Sequence, residues 1–454
     1  MKQIGLLKAL IKTLKYKKLT RLERDNIRNK RLKELVEYAK NNSPYFKEAY
    51  KELDDTYVLT DLPVTNKVEM MENFDRWVTD RDIHIKDIME FTKSLDNIGR
   101  KFMREYLVFT TSGSTGNPSV VVYDKTALSV MGAVGVLRAY ARKEDIKAFI
   151  KGSGKTAGVF ATGGFYLSNS SVRSRQLAMP WKKKQMMVTS VLNPISKIVE
   201  ELNSFQPAML GGYPTALEVL CDEQKNGRLH ISPIIIMTGG EYLSKETRQL
   251  LKNTFGCYVQ TNYSCTEGGV VSCECLNQHF HVNDDWIIME PVDKDNKPVK
   301  DGIQADKWLL TNLSNFTQPL IRFEITDRII LHSENCPCGN PSPWVEIEGR
   351  TDDILIFETE KGIVKVPPLA LYAILKEIHE ILRFQLILKN NNLELRMVCK
   401  NENEQENTYV IAKDKITQYL YDCGIENVEL TLSKTAPSVN NESGKFKHIC
   451  KMES

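Results

Sequence analysis

Hydrophobic and polar positions change rhythm along the chain, and those changes divide it. In residues 1–20, Ile4, Leu7, Leu10, Ile11 and Leu14 recur at helical spacing among Lys2, Lys8, Lys12, Lys15, Lys17 and Lys18, which predicts a basic amphipathic helix. The rest of residues 1–100 reads as charged helical sequence, with breaks at Asn42-Ser43-Pro44 and Asp61-Leu62-Pro63. From Tyr106 the texture shifts to short apolar runs between Gly, Ser and Thr clusters: 107–109, 120–123, 158–161, 208–210 and 234–237. Helical patterns at 194–202 and 215–226 alternate with these runs, as in an α/β domain with a largely parallel sheet. Residues 286–331 alternate apolar and polar side chains more strictly and predict antiparallel strands. Beyond Glu348-Gly349-Arg350 enough chain remains for a small α+β domain, with polar loops at 390–392 and 401–407. No internal repeat is visible.

Composition narrows the class. At 454 residues the chain exceeds what one core supports, so several domains are expected. Hydrophobic residues make up 42% and charged residues 26%, as in a soluble globular protein, and a net charge of +3 gives no ground for a nucleic-acid partner. No apolar run approaches the ~20 residues of a membrane span. Lysines interrupt the N-terminal apolar stretch, so it is not a secretory signal. A helix docked on its own domain is preferred there to a membrane-surface or partner-binding helix. Ten cysteines in so long a chain do not form a secreted disulfide scaffold, so a cytoplasmic protein with free or metal-bound thiols is expected.

Two constellations carry chemistry. Thr110-Thr111-Ser112-Gly113-Ser114-Thr115-Gly116-Asn117-Pro118 lies between two apolar runs, and its hydroxyls and backbone N–H groups suit phosphate oxygens. No Lys follows Gly116, so it is not the G-x-x-x-x-G-K-[ST] loop, and a plain hairpin turn is the dull alternative. Gly152 to Thr156 fails the same test because Phe149 stands where the first Gly belongs. The second constellation is Cys273-x-Cys275, His279-x-His281 and Cys336-Pro337-Cys338-Gly339. Two such knots about sixty residues apart can converge on one tetrahedral Zn²⁺. The set taken is Cys275, His281, Cys336 and Cys338, with Cys273 and His279 as competitors for a neighbour's place. Four protein ligands leave no open position, so the metal is expected to be structural.

The loop from Thr111 to Pro118 resembles the phosphate loop of the adenylate-forming enzymes, and further segments match that superfamily in order. Thr238-Gly239-Gly240-Glu241 resembles the strand end beside adenine. Asn262-Tyr263-Ser264-Cys265-Thr266-Glu267 resembles the aromatic-x-x-Thr-Glu motif. Arg322 to Asp327 resembles the segment whose aspartate holds ribose. Gly349-Arg350-Thr351-Asp352-Asp353 resembles the hinge, and Ser443-Gly444-Lys445 the C-terminal catalytic lysine. The resemblance spans about residues 106–447. Glu274-Cys275, Phe280-His281-Val282 and the Cys-x-Cys-Gly segment are similar to the structural metal site of its phenylacetate–CoA ligase and capsule-biosynthesis branch. One departure stands out: Asn117 occupies a position where many relatives carry Lys.

The resemblance implies a large N-terminal α/β domain of parallel sheets with a β subdomain, and a small mobile α+β C-terminal domain. Residues 1–100 are expected as a helical extension, 101–351 as the ATP- and acid-binding core with its zinc knuckle, and 352–454 as the mobile unit. It further implies nucleotide contacts by Thr111, Ser112, Gly113, Ser114, Thr115, Gly116, Gly240, Glu241, Asn262, Tyr263 and Asp327, with Asp352 at the hinge. Lys445, Thr266, Glu267 and Arg350 are the expected catalytic groups, Glu267 as the Mg²⁺ ligand. The implied reaction joins a carboxylic acid to AMP from ATP, releases pyrophosphate and passes the acyl group to a thiol, that of CoA or of a phosphopantetheinyl carrier protein. Other acceptors such as an amine, and an inert zinc-stabilised interaction protein, are the alternatives. A homodimer is compatible with it. Phe165, Tyr166 and Tyr213 either line an apolar acid pocket or are core aromatics.

Overall fold

The computed structural model describes residues 3–54, 56–111, 119–241, 243–348, 355–360, 362–366, 368–438 and 448–451. Helices α1 (Leu6–Tyr16), α2 (Arg21–Asn42), α3 (Pro44–Ala49), α4 (Lys67–Glu72), α5 (Phe74–Trp77) and α6 (Ile85–Thr92) build the opening segment. A capping box starts α2: Glu23 N donates to Thr20 Oγ1, and Thr20 N donates back to the Glu23 carboxylate at 2.8 Å. Ser43 ends α2, and Pro44 opens α3, where its missing N–H costs nothing. Their apolar faces do not form a separate core. Leu35, Phe46, Phe74 and Trp77 share one cluster with Trp308, Leu310 and Phe323 from the later antiparallel strands.

Strands β1 (Leu107–Thr110) and β2 (Val120–Tyr123) form a two-stranded hairpin of their own. After α7 (Lys125–Arg138) and α8 (Lys143–Lys151), strands and helices alternate: β3 (Thr156–Phe160), α9 (Leu167–Ala178), β4 (Met186–Ser190), α10 (Ile195–Phe205), β5 (Met209–Gly212), α11 (Pro214–Lys225), β6 (Ile235–Thr238), α12 (Lys245–Phe255) and β7 (Tyr258–Cys265). The order β4-β3-β5-β6-β7 is parallel throughout. Helical crossovers impose that arrangement, and the strands are apolar because helices cover the sheet. The same sheet continues antiparallel through β8 (Gly269–Glu274) and β9 (Phe280–Val282).

Next come β10 (Ile287–Val292), β11 (Gln304–Ala305), β12 (Lys307–Asn312), β13 (Phe323–Ile325), β14 (Arg328–His332) and β15 (Trp344–Glu348), all antiparallel as the alternation predicts. β15 joins β9, extending the large sheet to ten strands. The last segment holds β16 (Leu355–Thr359), β17 (Gly362–Val366), α13 (Pro368–Lys376), β18 (Ile381–Lys389), β19 (Asn392–Cys399), α14 (Gln405–Asp422), β20 (Leu430–Leu432) and β21 (Ile449–Lys451). Its buried cluster draws on residues from Leu355 to Ile449, with Leu192 packed against it. Asn390 and Asn391 both have positive φ (45° and 65°) and close β18 onto β19 as a tight hairpin. The loop expected at 401–407 is shorter than read, because α14 begins at Gln405; Glu406 in its first turn favours the helix start.

Arg322 ties the opening segment to the antiparallel strands. Its buried guanidinium donates to Glu290 Oε1 at 3.1 Å and to the carbonyls of Thr60 and Leu62 at 3.0 and 2.6 Å. Burial pushes the Glu290 carboxyl from 4.5 up to about 7, against the pull of Arg322. The folded chain thus holds that proton more tightly than the unfolded one. The associated stability is complete below pH 4.5 and is lost as pH rises through about 7. Glu290→Gln keeps an acceptor for Arg322, and is expected to flatten the unfolding free energy across that window. Urea melts at a series of pH values check this; an unaltered slope would assign the dependence to other groups.

Candidate active site

Parallel strands of the large sheet end on one rim. At the carboxyl ends of these strands lie glycine pairs, Gly163-Gly164 past β3, Gly211-Gly212 as the last two residues of β5, and Gly239-Gly240 past β6, leaving a crevice where ligands of open α/β sheets bind. Gly240 is required by its backbone: φ is +83°, and an added Cβ would meet the Tyr213 ring at 2.9 Å. Tyr213 in turn sits edge-on to Phe160, with centroids 5.6 Å apart. Of the expected pocket aromatics, Tyr166 and Tyr213 are half-buried at this crevice, whereas Phe165 is buried beside Phe91 as a core aromatic. The last segment reaches the same place, since a Cβ on Gly163 would lie 2.5 Å from Glu377 Oε1.

The nucleotide candidates gather on β7 and its neighbours. Tyr263 donates its hydroxyl to Asp327 Oδ2 at 2.5 Å and receives the Trp308 indole N–H at 3.2 Å. Burial, and then the Asp327 carboxylate, push that phenol well above its ordinary range, so it stays a donor. Asn262 stands opposite the Gly239 end, its backbone oxygen 3.4 Å from where a Gly239 Cβ would be. Its Oδ1 is buried and has no hydrogen-bond partner among the described residues. An acceptor left so is costly unless a donor such as an adenine amino group meets it. Glu241 accepts from Thr215 N and Oγ1 at 3.2 and 2.7 Å, tying this rim to the start of α11.

Thr266 and Glu267 form the turn from β7 to β8. Tyr123 OH donates to both their carbonyls at 3.1 and 3.3 Å, and Asn312 Nδ2 donates to the Glu267 carbonyl at 3.0 Å. The hairpin carrying the expected phosphate loop is thereby fastened to the Thr-Glu turn. Thr111 closes the neck of that loop: its N–H donates to Ser119 O at 3.0 Å and its Oγ1 accepts from Ser119 N at 2.8 Å. The strand pairing is thus that of a hairpin, on whose tip the expected phosphate loop falls. Ser112, Gly113, Ser114, Thr115 and Gly116 lie outside the described residues, as do Arg350, Asp352 and Lys445.

Several positioning residues escaped the motif reading. Gln318 accepts from Val122 N at 2.7 Å and donates to Val120 O at 3.0 Å, and Asn315 donates to Val122 O at 2.9 Å. Amide side chains thus serve the free edge of β2 as a neighbouring strand would. These residues fall within the segment read only as antiparallel strand, and Asn312, Asn315 and Gln318 are buried. The density of Asn and Gln without Gly was the available signal.

At the opposite end of β8 the metal candidates converge. Ligand atoms of Cys275, His281, Cys336 and Cys338 all lie within 4.8 Å of one another. Cys275 and Cys336 sulfurs are 3.8 Å apart, and Cys338 Sγ is 3.2 Å from His281 Nε2. A tetrahedral site with Zn–S of about 2.3 Å has sulfur–sulfur edges of about 3.8 Å, so the donor set fits zinc. His281 Nδ1 faces the Ser342 carbonyl at 2.9 Å, which fixes it as the N–H and leaves Nε2 to bind. Cys273 is buried instead in a cluster with Val130, Val134 and Trp286. His279 stays at the margin, with Nδ1 3.3 Å from Cys336 and its ring stacked on Trp344 at 3.9 Å. Glu274 connects the two ends: it pairs with Arg248, and its Oε2 accepts from Thr261 N at 3.0 Å, next to Asn262.

No protein-family model matches the chain. In sequence it is 25% identical to a phenylacetate-coenzyme A ligase of Thermus thermophilus over 406 residues, covering 84% of this chain and 80% of that protein. It is 24% identical to Protein CapK of Staphylococcus aureus over 417 residues, covering 86% and 83% respectively. In structure it matches a 2-hydroxyisobutyryl-CoA ligase in complex with 2-HIB-AMP and CoA in the thioesterification state. The TM-score is 0.60 at 16% identity, with 96% of this chain and 91% of that one covered. The same ligase in its postadenylation state with R3-HIB-AMP gives a TM-score of 0.55. The chain has the adenylate-forming fold. The motif resemblance to that superfamily and to its phenylacetate–CoA ligase branch is borne out by these likenesses.

The motif resemblance expects Gly240 at the nucleotide's edge. Gly240→Ala places a side chain at positive φ against Tyr213, and is expected to weaken ATP binding roughly tenfold. Titration calorimetry measures it, and wild-type affinity would remove Gly240 from the nucleotide's edge.

Proposed function

We propose that this chain is an AMP-forming acid–thiol ligase. A carboxylate oxygen attacks the α-phosphorus of ATP, pyrophosphate leaves, and the acyl-adenylate then gives its acyl group to the thiol of CoA with loss of AMP. The observation that carries the reading is the corner where Asp327, Tyr263, Asn262 and the Thr266–Glu267 turn meet at the glycine-lined crevice, in a chain similar over most of its length to CoA ligases.

Each residue's part follows from its chemistry. Asp327, oriented by Tyr263, would accept from the ribose hydroxyls, and Asn262 Oδ1 from the adenine amino group. Thr266 and the Thr111–Gly116 loop would hydrogen-bond phosphate oxygens. Glu267 would hold Mg²⁺, which supplies charge neutralisation between ATP and the acid. Two anions must approach for the first step, so cations and fixed dipoles account for most of the acceleration. Arg350 and Lys445 are the cations assigned to it by resemblance. We place the reaction in the cytoplasm, with residues 1–100 packed on a core of 101–351 and a unit from Asp352 onward that moves between the two half-reactions. Among the described residues no helix is long and apolar enough to cross a membrane.

Pyrophosphate release with ATP, Mg²⁺ and a panel of aromatic, short-chain and fatty acids, with and without CoA, tests this. Acid-dependent release with a CoA thioester detected by mass is the expected result. Silence across the panel, with no ATP binding by calorimetry in zinc-loaded protein, would leave an inert zinc-stabilised protein instead.

A further inference from the structure

Helix α1 has three faces where a docked surface helix needs two. Ala9, Thr13 and Tyr16 are buried against the protein. That side is pinned at both ends: Ile4 N donates to Thr126 Oγ1 at 3.1 Å, Trp286 Nε1 to Thr13 Oγ1 at 3.0 Å, and Tyr16 OH to Asp284 Oδ2 at 2.9 Å. A second face carries Leu7, Ile11 and Leu14, spaced i, i+4, i+7, which are 73%, 45% and 51% exposed. Lys8, Lys12 and Lys15 form the third, all exposed. Partial burial of its ammonium first, then Arg31, Lys8 and Lys30, push Lys12 below its ordinary range, with Glu34 opposing them.

We infer that the outward side of α1 docks on an anionic lipid surface, with Leu7, Ile11 and Leu14 entering the acyl boundary and the lysines meeting headgroup phosphates. An apolar stripe beside a lysine row, on a helix lying along the surface, is the physical form of an interfacial anchor. A second copy fits the face poorly. A two-fold contact would set its lysines against their own copies, whereas an anionic bilayer neutralises them. Because hydrogen bonds on the other side already order the helix, docking demands no folding step. The inference is independent of the proposed chemistry, since it uses only the outward side of α1, whose inward side packs on α7 and Trp286.

Vesicle flotation tests it, with phosphatidylcholine vesicles containing or lacking phosphatidylglycerol, over a series of salt concentrations. Wild type is expected to partition on the order of tenfold more strongly to the anionic vesicles, with loss at high salt. Leu7→Asp with Leu14→Asp, and separately Lys8→Gln with Lys12→Gln and Lys15→Gln, are each expected to reduce binding on the order of tenfold, with unchanged melting and ATP-dependent activity. Equal partition to both vesicle types, or full binding by either folded variant, would overturn the inference. So would a wild-type dimer in light scattering that Leu7→Asp with Leu14→Asp splits, because the face would then be a self-interface.

Discussion

Glu267→Gln is expected to lower acid-dependent pyrophosphate release by roughly a hundred- to a thousandfold while leaving the melting temperature in place. The turn that carries Glu267 is held through its backbone, by Tyr123 OH and Asn312 Nδ2 on its carbonyl. Removing the charge alone should therefore leave the geometry standing. On the proposed function, what would be lost is a hard oxygen ligand where negative charge must be neutralised as acid meets α-phosphate. ATP affinity measured in EDTA should stay near wild type, which separates a metal ligand from a direct nucleotide contact. Lys445→Ala is the companion. By resemblance it should stop adenylation yet leave thioester formation from a supplied acyl-adenylate nearly intact. Activity of Glu267→Gln within about twofold of wild type would sink the assignment, since a magnesium ligand at the reacting phosphates cannot be lost with so small an effect.

Cys336→Ser is expected to remove the metal and to lower the melting temperature by on the order of 10 °C, because binding energy at a closed zinc site is folding energy. Protein purified without chelators should hold about one zinc per chain by elemental analysis. The knot joins the β8–β9 turn to the segment leading into β15, which are paired only briefly: two register pairs link β9 to β15. Loosening it should reach β7 through Glu274, whose carboxylate holds Arg248 and the Thr261 N–H. Activity should fall with stability, not ahead of it, as the Cys/His cluster lies at the far end of β8 from Glu267. Cys273→Ser and His279→Ala are the controls and should both retain zinc. A fully stable chain without zinc, or loss of zinc from either control, would defeat the assignment.

Much of the fold was legible because local rhythm reports which face of an element is buried. Short apolar runs at 158–161, 208–210 and 234–237 alternating with helical stretches announced a parallel sheet, since parallel strands need crossovers, and each overlaps a strand of it. The alternation after Trp286 announced antiparallel strands equally well. Candidate sites stood out where they rest on a short run of neighbours, as in Tyr263-x-x-Thr266-Glu267 or Cys336-Pro337-Cys338-Gly339. They did not stand out where a residue's role depends on what distant chain brings to it. Phe165 could have lined a pocket, but Phe91, from the opening helices, packs against it.

By itself the sequence determined the α/β class, the motif order, the candidate ligands and the basic amphipathic character of residues 1–20. Tertiary structure alone decided among alternatives that share one local pattern. Cys273 and Cys275 are two residues apart, yet one enters the core beside Trp286 and the other turns into the metal knot, because β8 ends between them at Glu274. Asn315 and Gln318 became structural only when the free edge of β2 came within hydrogen-bonding reach. Helix α1 likewise showed which apolar side it buries and which it leaves outside only once α7 and Trp286 were in place. Periodicity sets the faces of an element, but the partner for each face comes from strand register and long-range packing, which no local window contains.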